Sequence, residues 1–439
     1  MRLGQTSAIH FLSRILMTAV GFGANLYFAQ ELGASVLGTY FQILAVLFWL
    51  SVVANFGINS AVKKRLSEGL ENSRYFTTAL LAQLTIFLLV SGLLYVFRNP
   101  IERYINATAI ELVVALLFVY LLARFLSRAL EGEHRVHIAA LLESGNQTAR
   151  ALGQIVLVSI GFGLTGLLVG YAVAGVLTIL AGLWILSAGV RRPARRHVES
   201  LFDYSKYAWL AQAKGRAFIS MDTIILGFFV TPGFIGVYEI AWNISEFFAI
   251  FGASVTTALF PQVSGLSSED NREQVQHFIK QGITYSGLLV LPGLFGAALL
   301  GDVILSIYSN EFVKGYRILI VLSGGQLLYV YERQLVSVLG AIDRPDLSFR
   351  VNGIFLMVNL ILNVSLVATV GWMGAAIATT TSAGIGLIVA YRLLSQVYEF
   401  TVPYTELAYQ LFAAVLMAIV VYAGRALFGD SVLVVLLLV

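Results

Sequence analysis

Apolar segments of about twenty residues recur along the whole sequence, and this recurrence restricts the possible folds more than any other feature. A helix of ~20 residues crosses the ~30 Å hydrocarbon core of a bilayer. Of the 439 residues, 58% are hydrophobic and only 12% are charged, whereas soluble domains carry about 25% charged residues. The sequence therefore predicts an all-α polytopic membrane protein.

The apolar segments divide the chain into thirteen complete predicted spans. Their approximate limits are 8–29, 36–59, 76–97, 108–130, 138–160, 163–189, 207–230, 234–260, 280–300, 316–340, 347–370, 372–395 and 405–428. The final segment, "SVLVVLLLV", is long enough for about half a bilayer. We expect it to be part of a fourteenth span or a short terminal anchor, so the prediction is 12–14 transmembrane helices.

The distribution of basic residues predicts the orientation of these spans. Cytoplasmic connections are richer in Lys and Arg than external ones. With the N-terminus in the cytoplasm, most of the 28 Lys and Arg residues, Lys63, Lys64 and Arg128 among them, fall in cytoplasmic connections or adjoining helix ends. The start, "MRLGQTSAIH", leads into a span without a small-residue cleavage site, so we expect a retained first helix. We therefore expect a multi-pass protein of the cell (cytoplasmic) membrane with a cytoplasmic N-terminus.

An internal repeat indicates two related halves. The turn "GASVLGTY" (33–40) resembles "TPGFIGVY" (231–238). Six predicted spans separate the two copies, and an even number gives both halves the same orientation, with a pseudo-two-fold axis along the membrane normal. We expect an N-terminal six-helix lobe at 1–198, a C-terminal six-helix lobe at 199–398, and one or more additional C-terminal spans at 399–439, the last of them incomplete.

The residue types argue against several functional classes. The chain has no Cys, which excludes disulfides and thiolate metal sites, and its five His residues show no metal-ligand spacing. The glycine-rich "GFGLTG" (161–166) lies between two predicted helices, which is the wrong context for a phosphate-binding loop. We expect no enzymatic activity, no catalytic residue, no cofactor, no metal site and no nucleic-acid partner.

Basic residues within the predicted spans point to an anion-binding cavity, because an embedded charge usually faces a protein interior or water. Arg14 and Asn25 share one face of the first span, and the repeat places Arg216 on the equivalent face of the seventh. Lys214 lies on the other side of its helix and is able to snorkel to the interface. Guanidinium groups bind phosphate oxygens in pairs. The candidate substrate-binding residues, for phosphate and glycan, are Arg14, Asn25, Arg150, Lys214, Arg216 and Arg333.

Three embedded carboxylates, those of Asp222, Glu239 and Glu246, are candidates for ion coupling. The sequence shows no recognisable ATP-binding motif. Transport would therefore draw on an ion gradient, the membrane potential or the substrate gradient. A cation, H⁺ or Na⁺, is the coupling partner that this hypothesis implies.

The embedded polar residues also have a second interpretation, in which they only connect neighbouring helices. Under this interpretation Glu143 pairs with Arg150, or Glu332 pairs with a neighbour. The asparagines at 352, 359 and 363, which share one face of the eleventh span, would then form hydrogen bonds between helices. Both interpretations remain open at this point.

Several stretches carry a family resemblance. "FAQELGASVLGTYFQILA" and "NFGINSAVKKRLSE" resemble the start of a polysaccharide or oligosaccharide flippase of the multidrug/oligosaccharidyl-lipid/polysaccharide (MOP) exporter superfamily. "SMDTIILGFFVTPGFIGVYEIAWN" resembles the seventh and eighth spans of that family, and "NLILNVSLVATVGWMGAAIATTTS" its eleventh and twelfth. The resemblance implies two six-helix lobes forming a V, extra C-terminal spans, and alternating access for lipid-linked glycans. It also implies that basic cavity residues engage the lipid-linked phosphate.

We therefore expect a flippase for a lipid-linked oligosaccharide, carried on polyprenyl phosphate or pyrophosphate, that serves cell-surface polysaccharide biosynthesis and works among membrane lipids. One alternative is a MATE-like ion-coupled antiporter of small molecules, which predicts a cavity lined with acidic residues. The other is a non-transporting membrane scaffold, which predicts mutually paired charges and a closed cavity.

Overall fold

Helices make up nearly all of the described polypeptide. The computed structural model describes the backbone of residues 3–268 and 271–428, and the side chains of the same residues except 3–19, 206–208, 210–218, 268 and 428. One 3-10 turn, Phe312–Gly315, interrupts the α-helices. The α-helices are α1 Leu3–Asn55, α2 Ile58–Ser67, α3 Asn72–Val96, α4 Arg98–Ile105, α5 Ile110–Gly132, α6 Val136–Ser159, α7 Gly163–Ile185, α8 Arg195–Phe229, α9 Pro232–Ser268, α10 Arg272–Ser286, α11 Val290–Tyr308, α12 Tyr316–Ala341, α13 Pro345–Val370, α14 Trp372–Val397 and α15 Tyr404–Phe428.

These helices confirm the predicted fold class, and the chain is a multi-span membrane protein. Nine helical segments of the described residues are long and apolar enough to cross a membrane. The first of them contains two predicted spans, because α1 is interrupted at Gly33, whose backbone is not helical. The three predicted spans that remain coincide with α6, α8 and α12, which carry embedded charged residues. The predicted terminal segment at 431–439 lies outside the described residues.

The chain forms two compact units, Met1–Ser220 and Met221–Val439, and the boundary between them falls inside α8. We refer to them as the first and second unit. The limits of the predicted lobes, at residues 198 and 398, stay predictions.

In the first unit, the short helix α2 is amphipathic, and its two faces meet different surroundings. Its buried apolar face consists of Ile58, Ala61, Val62 and Leu66. This face joins a core that includes Phe125 and Ala129 of α5. Residues three and four apart share a face of a helix, so packing against α5 turns the other side of α2 away from the core. That side consists of Ser60, Lys63, Lys64 and Ser67.

The junction between α1 and α2 fixes the position of α2. Gly57 has a positive φ of 78°, and a Cβ at this residue would lie 2.2 Å from the backbone oxygen of Ser205 in α8. The chain therefore turns in direct backbone contact with α8. The side chain of Asn55 accepts a hydrogen bond from the Asn59 amide at 3.1 Å, which satisfies one of the free amides at the start of α2. Trp209 of α8 donates to the Val52 carbonyl at 3.0 Å.

A charged cluster next to this junction ties the turn before α3 to the start of α8. Glu71 contacts the buried ring of His197 at 2.8 Å and accepts from Arg196 at 2.7 Å. The hydrogen bond with His197 lowers the pKa of the Glu71 carboxyl from its ordinary value, and the charge of Arg196 acts in the same direction. The turn before α3 and the start of α8 are therefore connected by polar contacts.

The second unit is organised around α12, which packs against α9 and α14, while α13 packs on α14. Thr256 of α9 donates to Gln334 of α12 at 2.8 Å inside this core. The last described helix, α15, packs on α11 and is joined to it by an ion pair of Arg425 with Asp302 at 2.6 Å.

We predict that Gly57→Ala destabilises the protein more than Gly69→Ala. Both glycines have a positive φ, 78° and 73°, and a left-handed backbone costs other residues about 1–2 kcal/mol. Only at Gly57 does the new methyl group also meet backbone, since nothing lies within 4 Å of a Cβ at Gly69. Overpacking adds about 1–3 kcal/mol. Thermal unfolding of the purified variants measures the difference, and equal losses would contradict the proposed packing of the α1–α2 junction.

Candidate functional site

A cavity of about 820 Å³ lies within the first unit. Its walls come from the end of α1, the polar face of α2, one face of α5 and two residues of α8. The residues that line it are Ser51, Val52, Asn55, Asn59, Ser60, Lys63, Lys64, Ser67, Tyr120, Leu121, Arg124, Arg128, Tyr204 and Ile219. We call it the basic cavity.

Four basic side chains line this cavity, Lys63 and Lys64 from α2 and Arg124 and Arg128 from α5. The two arginines are one helical turn apart and therefore share a face of α5. They are partly buried, whereas the two lysines are exposed. A cleft lined with charges of one sign concentrates the electric field and attracts the opposite charge. The cavity is therefore suited to an anion.

Two carboxylates partly neutralise these cations. Glu131 lies 2.7 Å from Lys63 Nζ and accepts a hydrogen bond from Arg128 at 2.7 Å. Glu143 of α6 accepts a hydrogen bond from Arg124, also at 2.7 Å. Lys64 instead lies over the ring of Tyr204, 4.7 Å from its centroid. Among the described residues, four cations against two carboxylates leave an excess of two positive charges around the cavity.

Aromatic and amide groups complete the lining. Tyr120 and Tyr204 combine an apolar ring with a hydroxyl group, and Arg124 lies 5.7 Å from the Tyr120 centroid. Asn59 carries a buried Oδ1 atom that accepts no hydrogen bond from the described part of the chain. A buried acceptor of this kind is normally hydrogen-bonded, so water or a ligand hydroxyl is the expected donor to it. The cavity therefore offers contacts to a hydroxyl-rich ligand as well as to its charge.

Three of the predicted substrate-binding residues lie outside the described side chains. Arg14 lies on α1, and Lys214 and Arg216 lie on α8. Ile219, three residues after Arg216 on α8, lines the basic cavity. The roles of these three basic residues stay predictions.

The other predicted binding residues lie at different places. Arg150 of α6 packs over the ring of Tyr171, 5.2 Å from the centroid. Asn25 is partly buried on α1, and Arg333 is exposed on α12 of the second unit. Glu143 pairs with Arg124, so the interpretation that it pairs with Arg150 is wrong. Helical spacing suggested a partner on the same helix, but the packing of α5 on α6 supplied a nearer one.

A second candidate site surrounds Asp222 in the second unit. This side chain is 4% exposed. It accepts hydrogen bonds from the Tyr238 hydroxyl, from Asn363 at 2.8 Å and from Thr379 at 2.8 Å. Asn359 donates to the same threonine at 3.2 Å. Four helices, α8, α9, α13 and α14, therefore meet at one carboxylate.

Among the described residues, the partners of the Asp222 carboxylate carry no positive charge. The three groups that donate to it are neutral, and burying a carboxylate without a positive charge is costly. The buried Oδ1 atom of Asn363 accepts no hydrogen bond within the described residues. The carboxylate oxygens of Asp222 and the hydroxyl oxygen of Thr379 thus lie together, while Asn363 turns its amide nitrogen to the carboxylate. Oxygen ligands suit a proton or a hard cation. The residues present fit a small cation.

The other two predicted coupling carboxylates lie on α9 near this site. Glu239 accepts a hydrogen bond from the Thr223 hydroxyl. Glu246 is exposed, two helical turns further along α9. Asp222 therefore lies at the centre of the hydrogen-bonded cluster. Glu239 directly follows Tyr238, one of the residues that donate to Asp222.

Sequence reasoning missed several residues of both sites. It treated Lys63, Lys64 and Arg128 as orientation signals, because the sequence does not show which way α2 faces. It noted Asn359 and Asn363 as a stripe, which was a usable signal for the Asp222 site. Tyr238 was noted only as the last residue of the repeated turn at 231–238. Thr379 gave no signal, since threonine is not unusual in a membrane helix.

Comparisons with known proteins agree with these features. A family model described as "Polysaccharide biosynthesis protein" matches residues 3–267. "Probable flippase AglR" of Haloferax volcanii is 32% identical over 428 residues, 96% of this chain and 89% of that protein. "Probable low-salt glycan biosynthesis flippase Agl15" of the same organism is 31% identical over 435 residues, 99% of this chain and 92% of that protein.

The fold is shared with a solved structure of a lipid II flippase. "Lipid II flippase MurJ, inward closed conformation" superposes with a TM-score of 0.84 and covers 98% of this chain and 97% of its own. The sequence identity is 18%, so this similarity establishes the fold.

We predict that water reaches residue 60 and does not reach residue 61. The chain has no Cys, so Ser60→Cys and Ala61→Cys each introduce a single thiol. Ser60 lines the basic cavity, whereas Ala61 is fully buried. A water-soluble maleimide should label the Ser60→Cys variant in intact membranes and leave Ala61→Cys unlabelled after the same time, as measured by mass spectrometry. Equal labelling would contradict an open cavity on this side of α2.

Proposed function

Because this chain belongs to the polysaccharide biosynthesis protein family, the polysaccharide flippases of the MOP exporter superfamily, we propose that it is a flippase for a lipid-linked oligosaccharide. Two relatives that match nearly the full chain are named as flippases. The substrate would be a glycan attached through phosphate or pyrophosphate to a polyprenyl lipid, destined for cell-surface polysaccharide.

The basic cavity is the observation that carries the proposal. Arginine binds phosphate oxygens with two parallel N–H groups, and lysine binds them as a point charge. Arg124, Arg128, Lys63 and Lys64 surround one space, so a single phosphate or pyrophosphate group can meet several of them. A volume of about 820 Å³ is within the range of small-molecule sites, ~300–1,000 Å³, and leaves room for sugars beside the phosphate.

Transport would proceed by alternating access and without a chemical step. We infer a cytoplasmic N-terminus in the cell membrane from the excess of basic residues on that side. The basic cavity, at the end of the first unit where α2 lies, would then open to the cytoplasm. The cavity would capture the phosphate and sugars while the polyprenyl chain stays in the lipid. Movement of the two halves of the fold would then expose the glycan on the outer side.

A cation gradient is the energy source that we propose, with Asp222 as the coupling residue. A proton or Na⁺ would neutralise its buried charge, and the Thr379 hydroxyl would supply a further oxygen ligand. Glu239 and Glu246 lie on the same helix as Tyr238 and would serve as secondary carboxylates. The cavity of a small-molecule cation antiporter would be expected to be acidic, and the basic cavity favours the flippase.

We predict that Lys64→Gln and Arg128→Gln each slow glycan translocation by roughly tenfold or more, since a hydrogen bond to a charged group contributes about 1.5–3 kcal/mol. Arg195→Gln is the matched control, because Arg195 is exposed at the start of α8 and pairs with Glu199. A leaflet-accessibility assay of the lipid-linked glycan, in cells with equal protein levels, measures the effect. Wild-type translocation in both cavity variants would contradict the proposed site.

Arg14 and Arg216 are tested in the same assay. We expect Arg14→Ala and Arg216→Ala to reduce translocation at normal protein levels, because both are predicted to reach the substrate phosphate. Unchanged translocation in both variants would remove these arginines from the binding site and leave the four described cavity residues to account for it.

Asp222→Asn is expected to abolish the dependence of transport on the coupling gradient. Asparagine has nearly the same shape but carries no charge, so it has no proton or cation to exchange near neutral pH. Asp302→Asn, which removes a carboxylate that pairs with Arg425 in the same unit, is the control. Transport in proteoliposomes with imposed H⁺ or Na⁺ gradients distinguishes the ions, and full gradient-driven transport by Asp222→Asn would contradict its role.

A further inference from the structure

The Glu131 carboxylate forms ion pairs with two of the four basic side chains that line the cavity, Lys63 and Arg128. One of its oxygens lies 2.7 Å from Lys63 Nζ of α2, and the other accepts from Arg128 of its own helix at 2.7 Å. Its side chain is 13% exposed, compared with 44% for Glu143 in the other cavity pair. Exposed ion pairs contribute little to the free energy of folding, whereas partly buried ion pairs are less screened by water and salt. Glu131 is therefore the principal counter-ion of the cavity.

The position of Glu131 is fixed by the close packing of α2 against α5 at the adjacent residue, Gly132. At the next residue, Gly132, a Cβ would lie 2.7 Å from the Leu66 Cβ and 2.8 Å from the Lys63 carbonyl oxygen. Only glycine permits this approach, so α2 and α5 touch where the ion pair forms. The pair of Glu131 with Lys63 is thus a consequence of helix packing, not a chance meeting of two mobile side chains.

A bound phosphate and the Glu131 carboxylate would compete for the same donors. Both are anions that accept hydrogen bonds from Lys63 and Arg128, and two negative charges within a few ångströms repel each other. A transport site must bind well enough to load and weakly enough to release its substrate. An internal carboxylate satisfies the requirement for loading, because it pairs with the cations before the phosphate arrives. It also satisfies the requirement for release, because it re-forms these ion pairs as the phosphate leaves.

We propose that Glu131 is an exchangeable counter-ion that the substrate phosphate displaces from Lys63 and Arg128 on loading and that drives its release by returning to them. This inference rests on the proposed function, since it assigns the substrate phosphate to the basic cavity. Under this inference Glu131 is a positioning residue that controls the strength of substrate binding and the rate of substrate release. Glu131 acts on the substrate by competing with its phosphate for Lys63 and Arg128.

The test compares binding and turnover in the full-length protein in lipid nanodiscs and proteoliposomes. Farnesyl diphosphate, a short polyprenyl diphosphate, serves as the binding probe. Glu131→Gln should bind it roughly tenfold more tightly, because a competing negative charge is removed. The same variant should translocate lipid-linked glycan with a lower KM and a lower maximal rate, because release becomes slow. Glu131→Asp, which keeps the charge, should restore both values towards wild type.

Two further variants make the result specific. Glu199→Gln removes a carboxylate that pairs with exposed Arg195 outside the cavity, and it should leave affinity and rate unchanged. The double variant Glu131→Gln/Lys63→Gln removes one charge of each sign. It should fold even if Lys63 and Arg128 repel each other too strongly in Glu131→Gln, and it should bind the probe more tightly than Lys63→Gln alone.

The outcomes separate this inference from the proposed function. Weaker probe binding by Lys63→Gln and Arg128→Gln, with unchanged affinity and maximal rate in Glu131→Gln, would overturn counter-ion exchange and leave the cavity as the substrate site. Equal probe binding by wild type, Lys63→Gln and Arg128→Gln would overturn the cavity as the substrate site, and counter-ion exchange with it.

Discussion

A charge inside a membrane-embedded helical bundle is stable only when another charge, a set of hydrogen bonds or water accompanies it. The charged groups of the basic cavity and of the Asp222 site meet this constraint through different partners. Glu131 and Glu143 accompany the cavity arginines, the Tyr204 ring lies under Lys64, and three neutral donors surround Asp222. Among the described residues, the cavity keeps an excess of positive charge, and the groups that donate to Asp222 are neutral.

The cavity follows from local sequence features. The apolar face of α2 packs against α5, and this packing turns Lys63 and Lys64 towards Arg124 and Arg128. Gly57 lets α2 start against the backbone of α8, and Gly132 lets it touch α5. A larger residue at either glycine would move α2 away and separate the cations. The electrostatic properties of the site therefore depend on two close backbone contacts.

The sequence predicted the fold more fully than the site. Span length and composition are properties of single helices, so the all-α membrane class and the helix positions could be read directly. Asp222 was also recognisable, because a carboxylate within an apolar helix is rare. The place of Lys63 and Arg128 in the cavity lining was not recognisable, because basic residues at helix ends also set orientation. Only the packing of α2 on α5 shows that they line one cavity. The partner of Glu143 likewise depended on a contact between helices.

Photo-crosslinking tests the central claim, binding of the substrate head group in the basic cavity, most directly. A photoreactive amino acid at Ser60 or Ile219, both of which line the cavity, is compared with one at Leu88, an exposed apolar residue of α3. The substrate is lipid-linked oligosaccharide with a radiolabelled glycan. We expect the labelled glycan to crosslink at residues 60 and 219, and excess unlabelled substrate to suppress the product. Crosslinking at residue 88 alone, or at all three positions equally, would contradict the account.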